Sequence, residues 1–170
     1  MNGNRQQRVL VGVDESAASL AALRWAADEA MLRRSRLHIV GAWDPATHSA
    51  SYADVGGPAT RVERETIARD AFSAAIRAVF GPQLPDGVTA ELVEGAPERI
   101  LLARSAEAGL LVLGATSRPS PVGWFAGPVI RACLAHARCP VVVIGPNAGT
   151  SAPASQDLTS NDHELAAASS

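Results

Sequence analysis

The sequence predicts an α/β fold in which a single domain forms a five-stranded parallel open sheet with helices on both faces. Two observations predict it. Short apolar runs rich in β-branched residues alternate along the chain with longer segments of helical periodicity. The 170 residues are also enough for one domain with a sizeable core. Strands that alternate with helices imply right-handed crossovers, which place helices on both faces of a parallel sheet.

The opening segment predicts a strand, a helix and a second strand. Residues 9–13 (VLVGV) suit a strand buried on both faces, and this strand ends at Asp14. Ser16 can cap the helix that follows. Residues spaced at i, i+3, i+7, i+10 and i+11 are expected to be its buried face: Leu20, Leu23, Ala27, Ala30 and Met31. The second strand is predicted from Leu37 to Trp43, followed by a surface loop at 44–60.

The rest of the chain continues the alternation. A helix from about Val62 to Val79 is expected to bury five residues: Ile67, Ala71, Ala74, Ala75 and Ala78. Further strands are predicted at 88–93, near the sheet edge, and at 110–113 and 140–144. Pro97 suits the first turn of a third helix. The fourth helix follows a loop at 115–126 and has an apolar stripe of Ile130, Cys133, Leu134 and Ala137.

The domain is predicted to occupy residues 8–145. Residues 1–7 are polar, and we expect a flexible N-terminus there. Residues 146–170 contain only Leu158 and Leu165 as large apolar side chains, too few to offset the entropy of ordering, so a disordered tail is predicted.

Composition and charge exclude several classes of partner. The formal net charge is −2, and the 15 basic residues, all arginine, form no basic patch, so nucleic acid is not expected as a ligand. No apolar run reaches the roughly 18 residues that span a bilayer, so no membrane association is expected. Two cysteines without a Cys-x-x-Cys motif favour a reduced, cytoplasmic setting.

Few residues carry a chemical signal, and the strongest stand at predicted strand ends. Asp14 ends the first strand, where ligands of open parallel sheets bind, although it can also serve only to cap the next helix. Gly114 and Gly127 bound the loop before the fourth helix, whose amides can hold an anion, although a turn and a cap explain them equally. Because no nucleophile elbow or metal-ligand spacing occurs, we do not expect an enzyme.

Three segments together resemble the universal stress protein family over about residues 8–145. They are VLVGVDESAASLAALRWAADEA, LVEGAPERILLARSAEAGLLVLG, and the stretch from Gly114 through HARCPVVVI. The resemblance implies the strand order 3-2-1-4-5. It also implies homodimers that pair through the last strand, here Val141–Ile144, and in many members a bound ATP.

The resemblance also places the pocket. In ATP-binding members the signature is Gly, two residues, Gly, nine residues, then Gly with Ser or Thr. Gly114 and Gly127 match it, whereas Ser117 and Pro128 replace its middle glycine and its hydroxyl residue. Asp14 matches the acidic residue that contacts adenosine, and Ala42 matches a backbone contact to adenine. The predicted nucleotide-binding residues are Val13, Asp14, Ala42, Leu113, Gly114, Ser117, Gly127, Pro128 and Val129.

The predicted function is therefore a regulatory protein of the universal stress type with a degenerate adenine-nucleotide pocket. Pro128 removes an N–H and a hydroxyl from the phosphate-facing turn, so binding of ATP or another adenine nucleotide is expected to be weak or lost. Two alternatives stay open. One is a genuine ATP-binding protein, with or without slow hydrolysis, and the other is a dimerising interaction module that binds no nucleotide.

Overall fold

The computed structural model describes residues 8–45, 60–115 and 127–145. In chain order its elements are β1 (Arg8–Val13), α1 (Ala17–Leu32), β2 (Arg36–Trp43), α2 (Arg61–Phe80), β3 (Val88–Glu94), α3 (Pro97–Ser105), β4 (Leu110–Gly114), α4 (Pro128–His136) and β5 (Val141–Ile144). The strands form one parallel sheet in the order β3-β2-β1-β4-β5. The predicted fold class and strand order are confirmed.

Several predictions fall outside the described residues. They concern the N-terminus at 1–7, most of the loop at 44–60, Ser117 with the rest of its loop, and the tail at 146–170.

Helices cover both faces of the sheet, and the side chains of β1 alternate between the two resulting cores. Val9, Val11 and Val13 belong to the core beneath α1 and α2. Leu10 belongs to the core beneath α3 and α4. This is the alternation that a strand imposes on its side chains. It explains why the central strands are apolar throughout, while the edge strand β3 is half-buried, as predicted.

Helix α1 begins as predicted but turns a different face inward. The Ser16 side chain accepts the backbone N–H of Ser19, which is the expected cap. The buried residues are Ala18, Ser19, Ala22, Leu23, Ala26 and Ala30. Of the predicted set, Leu20 and Ala27 are only half-buried, and Met31 is 73% exposed. Small residues face the sheet because the first turn of α1 packs directly on the backbone of β4, where a longer side chain has no room.

The buried faces predicted for α2 and α4 are also partly wrong. In α2 only Ala68 is fully buried, Ala74 and Ala78 are exposed, and the other three predicted residues are half-buried. Ala75 packs on the core as predicted, and it is joined there by Phe72, Ile76 and Val79, whose larger side chains bury more apolar area than alanines. In α4 Ile130 and Cys133 are buried, but Leu134 is 56% exposed. Ala137 lies beyond the end of this short helix and packs on the core from there.

The turn after α1 contains the one non-glycine residue with a positive φ in the described part of the chain. Arg34 has φ 51°, and its backbone N–H donates to the carbonyl of Met31. The next residue, Ser35, donates its N–H to the carbonyl of Ala30. This pattern ends many helices and normally places glycine at the left-handed position.

Candidate functional site

A cavity of about 340 Å³ opens at the carboxyl ends of β1, β2 and β4. Its volume is at the small end of the range of roughly 300–1,000 Å³ that ligand pockets occupy. The first turns of α3 and α4 and the middle of α2 complete its walls. The structure brings eight of the nine predicted nucleotide-binding residues to this cavity: Val13, Asp14, Ala42, Leu113, Gly114, Gly127, Pro128 and Val129. Their role in binding stays a prediction.

Asp14 takes part in the local turn and also lines the cavity. Its Oδ1 accepts the backbone N–H of Ser16 at 2.8 Å, so the carboxylate does help to open α1. The buried Ser19 hydroxyl donates to the Asp14 carbonyl at 2.7 Å and accepts the Asp14 N–H at 3.2 Å. The second carboxylate oxygen has no hydrogen bond within the described ranges. The turn therefore fixes Asp14 while leaving this oxygen available to a ligand.

The two outer glycines of the predicted signature differ in what the structure requires of them. A Cβ added at Gly114 would lie 2.4 Å from the carbonyl carbon and oxygen of Ala18. Glycine is therefore needed there for the packing of α1 on β4. A Cβ added at Gly127 would meet no atom within 4 Å, and its φ of −57° suits any residue. Packing among the described residues thus accounts for Gly114 but not for Gly127.

The first turn of α4 offers a reduced set of donors to an anion. Gly127 is the N-cap and provides no side-chain cap, and Pro128 occupies the first helical position, where it has no N–H. The amides of Val129 and Ile130 belong to the first turn, whose N–H groups have no partner within the helix. With the N–H of Gly127 itself, three backbone donors remain of the four that a helix N-terminus normally presents.

Apolar side chains of α2, β3 and α3 also line the cavity, and they were not predicted as site residues from the sequence. Phe72 of α2 lines the cavity together with Leu92 of β3 and Leu101 of α3. A Cβ at Gly41 would lie only 2.6 Å from the Phe72 ring, so this strand glycine makes room for the aromatic side chain. A glycine inside an apolar strand is the sequence signal that predicts such a close approach.

Glu15 also lines the cavity and was missed, although it follows Asp14 directly. Its side chain is exposed and makes no hydrogen bond or ion pair within the part of the chain that the structure describes. Asp14 and Glu15 are the two ionisable side chains among the described lining residues, and both are carboxylates.

The histidines and cysteines of the described segments lie away from the cavity. His38 contacts Glu91 at 3.2 Å, and Glu91 in turn binds Arg104. Burial lowers the pKa of His38 more than Glu91 raises it. Cys133 is fully buried in the core, as predicted, and burial raises the pKa of its thiol. Within residues 8–45, 60–115 and 127–145 no group of three metal-ligating side chains occurs, and no helix is long and apolar enough to cross a membrane.

Comparison with known proteins confirms the resemblance seen in the sequence. Residues 6–145 match the family model described as the Universal stress protein family. A universal stress protein of Mycobacterium tuberculosis strain H37Rv is 33% identical over 147 residues, which are 84% of this chain and 49% of the relative. The chain thus spans about half the length of the curated relatives it matches.

Solved structures share the fold. A universal stress protein from Archaeoglobus fulgidus is 26% identical with a TM-score of 0.60, over 81% of this chain and 98% of that one. A universal stress protein in complex with cAMP is 25% identical with a TM-score of 0.55, over 82% of this chain and 97% of that one.

Proposed function

This chain belongs to the universal stress protein family, and we propose that it is a regulatory, non-catalytic protein whose cavity binds an adenine nucleotide weakly. The observation that carries the proposal is the cavity at the carboxyl ends of β1, β2 and β4, with Asp14 at its rim and Phe72 in its wall. Ligands of open α/β sheets bind at this end of the strands. The similar universal stress protein in complex with cAMP supports the choice of an adenine nucleotide.

The two sides of the cavity suit the two parts of a nucleoside. Phe72 and Leu92, which both approach Gly41, offer an apolar surface to a planar base. The free carboxylate oxygen of Asp14 can accept hydrogen bonds from ribose hydroxyl groups, and bonds to a charged acceptor are the stronger kind. The buried Ser19 hydroxyl holds the turn that contains Asp14. The carboxylate is therefore in position before the ligand binds.

The phosphate side of the cavity is the weak part. A hydrogen bond to a charged group contributes roughly 1.5–3 kcal/mol. Pro128 provides neither a backbone N–H nor the hydroxyl of the family signature, and Ser117 replaces its middle glycine. Losing one or two such bonds weakens ATP binding by about tenfold to several thousandfold, because about 1.4 kcal/mol corresponds to tenfold.

Calorimetric titration with ATP tests this proposal. The double variant Ser117→Gly, Pro128→Ser should bind ATP at least about tenfold more tightly than the wild type. Adding Asp14→Ala to the double variant should abolish this gain in affinity. Adding Asp14→Asn instead is the control for disruption of the turn, because asparagine keeps an oxygen that accepts the Ser16 N–H. Tight ATP binding by the wild type would contradict the proposal and favour the genuine ATP-binding alternative.

The non-catalytic part of the proposal has its own test. The described residues that line the cavity include two carboxylates but no histidine or cysteine that would pair with a nucleophile. We therefore expect ATP to be recovered unchanged after prolonged incubation with the protein. Phosphate release that Asp14→Asn abolishes would instead indicate slow hydrolysis at this site.

A second candidate function, dimerisation through β5, has its own observation. This strand lies at the edge of the sheet, and Val143 is 38% exposed. An apolar edge strand left uncovered invites aggregation, and pairing with a second copy across a two-fold axis satisfies its backbone. Val142→Pro should give monomer or aggregate in sedimentation velocity. A wild-type monomer at micromolar concentration would contradict the proposal, and a dimer without nucleotide affinity would favour the interaction-module alternative.

We also propose a cytoplasmic setting. It is supported by Cys133 and Cys139, which are both free thiols in the structure. Cell fractionation followed by detection of the protein tests it.

A further inference from the structure

We propose that the cavity selects its ligand by charge, binding the uncharged nucleoside adenosine in preference to ATP, with Glu15 as the residue that sets this selectivity. The inference rests on the proposed function and specifies the ligand of the same site. Two observations carry it: the charges that line the cavity, and the backbone N–H donors missing from the helices that begin there.

Among the residues that the structure describes, the charged side chains that line the cavity are all negative, as a phosphate is. Among the described lining residues these are Asp14 and Glu15, and no arginine accompanies them. The whole chain has no lysine, since all 15 basic residues are arginine. Arginine and lysine side chains strengthen many polyphosphate sites, because a cation offsets the charge that the phosphates carry. The described lining residues instead present two carboxylates to the ligand.

The two carboxylates have different local roles. Asp14 is engaged in the turn through Oδ1, and its remaining oxygen suits a neutral hydroxyl donor. Glu15 makes no hydrogen bond or ion pair within the described residues, although it lines the cavity. Its negative charge is therefore not neutralised by any described neighbour. The charge of Glu15 therefore has little effect on the affinity for a neutral ligand, and it lowers the affinity for an anionic one.

The helix N-termini at this end of the sheet offset the negative charge of the two carboxylates only weakly. Both α3 and α4 begin with proline, at Pro97 and Pro128, so each lacks the first N–H of its turn, and both prolines line the cavity. Glu98 adds a further carboxylate in the first turn of α3. At α1 the Ser16 side chain already accepts an N–H of the first turn. The positive ends that usually attract phosphate are thus depleted of donors or already opposed by a carboxylate.

The expected size of the effect follows from Coulomb's law. A unit charge about 8 Å from a carboxylate is repelled by an amount that corresponds to roughly twofold in affinity in bulk water and about thirtyfold at the lower effective dielectric of a protein surface. Affinity should therefore decrease in the order adenosine, cAMP, AMP, ATP. Salt screens repulsion, so raising the ionic strength should tighten ATP binding and leave adenosine binding nearly unchanged. A site that attracts phosphate shows the opposite dependence on salt.

The test is calorimetric titration of adenosine, cAMP, AMP and ATP into the full chain at low and high salt, without divalent cations. Glu15→Gln should raise the ratio of ATP affinity to adenosine affinity by about twofold to thirtyfold. Asp28→Asn is the matched control, because it removes one exposed carboxylate of α1 that does not line this cavity, and it should leave the ratio unchanged. Melting temperatures of both variants exclude a folding defect.

Four outcomes separate this inference from the proposed function. Tighter binding of ATP than of adenosine by the wild type, or equal effects of Glu15→Gln and Asp28→Asn on the ratio, would overturn the charge selection while leaving nucleotide binding intact. ATP preference that Arg118→Gln abolishes would overturn it too, since the cation would come from the loop outside the described residues. Failure of all four ligands to bind at millimolar concentration would overturn the proposed function itself.

Discussion

Replacing Gly114 with alanine should destabilise the domain, because the added methyl group has no room. The new Cβ would lie 2.4 Å from the carbonyl carbon and oxygen of Ala18 and 2.5 Å from the backbone nitrogen of Ser19. These are backbone atoms, so no side-chain rotation relieves the overlap. Because carbon atoms in contact lie about 3.5–4.0 Å apart, the first turn of α1 must move away from β4 by about 1 Å.

The expected loss has two sources. Overpacking of a core costs about 1–3 kcal/mol. The same movement strains the two hydrogen bonds between the Ser19 hydroxyl and the backbone of Asp14, each worth about 0.5–1.5 kcal/mol. We therefore expect Gly114→Ala to lower the free energy of unfolding by about 2–4 kcal/mol. Gly127→Ser is the matched control: its Cβ meets no atom of the described residues, its φ is negative, and serine is at least as good an N-cap as glycine, so it should not lower the free energy of unfolding.

Urea denaturation followed by tryptophan fluorescence measures both variants, since Trp43 is buried and reports on the core. A value for Gly114→Ala within about 0.5 kcal/mol of the wild type would refute the reasoning, because it would mean that α1 moves away from β4 without cost. An equal loss for Gly127→Ser would refute it as well, because it would show that the loss does not arise from packing against α1.

Three further predictions each concern one residue. Arg34→Gly should raise the free energy of unfolding by about 0.5–1 kcal/mol in the same assay, since it relieves a left-handed backbone at φ 51°. Ser105→Ala should lower it by about 1–3 kcal/mol, because the Arg138 N–H loses its acceptor at the fully buried hydroxyl. Burial holds the pKa of His38 below its ordinary value of 6.5, so the unfolded chain binds the proton first as the pH falls. Stability should thus decrease below pH 6.5, and His38→Gln should flatten that decrease; an unchanged slope would contradict it.

The sheet could be predicted from the sequence because its signals are local. Residues 9–13 and 110–113 are apolar without alternation, as strands buried on both faces require, and both lie in the middle of the sheet. The inward face of α2 could not be predicted in the same way. The helix is rich in alanine, so several faces offer small apolar residues, and the inward face depends on where Phe72 and Ile76 find space over the sheet.

The site residues that lie at strand ends could be predicted from the sequence. Those placed by packing between elements could not. Asp14 directly follows β1 and Gly114 ends β4, so the topology alone brings them to one edge. Phe72 reaches the cavity only because α2 packs over Gly41, a tertiary contact that helical periodicity does not encode. Glu15 lacked a signal because an exposed carboxylate at the start of a helix has an ordinary explanation in the helix dipole.

The residues around the cavity divide into those that the fold requires and those that it leaves free. Gly114 and Gly41 make room for neighbouring elements, and Ser19 ties the turn after β1, so a substitution at any of them alters the fold before it alters the ligand. Among the described residues, the Glu15 side chain makes no such hydrogen bond, and a side chain at Gly127 would meet no atom within 4 Å of its Cβ. Because both line the cavity and their side-chain positions are not packed against described neighbours, we expect that ligand preference can change there at little cost in stability, provided that the residue at 127 still caps α4. A change of sign at Glu15 therefore alters the charge presented to the ligand while the packing around the cavity stays the same.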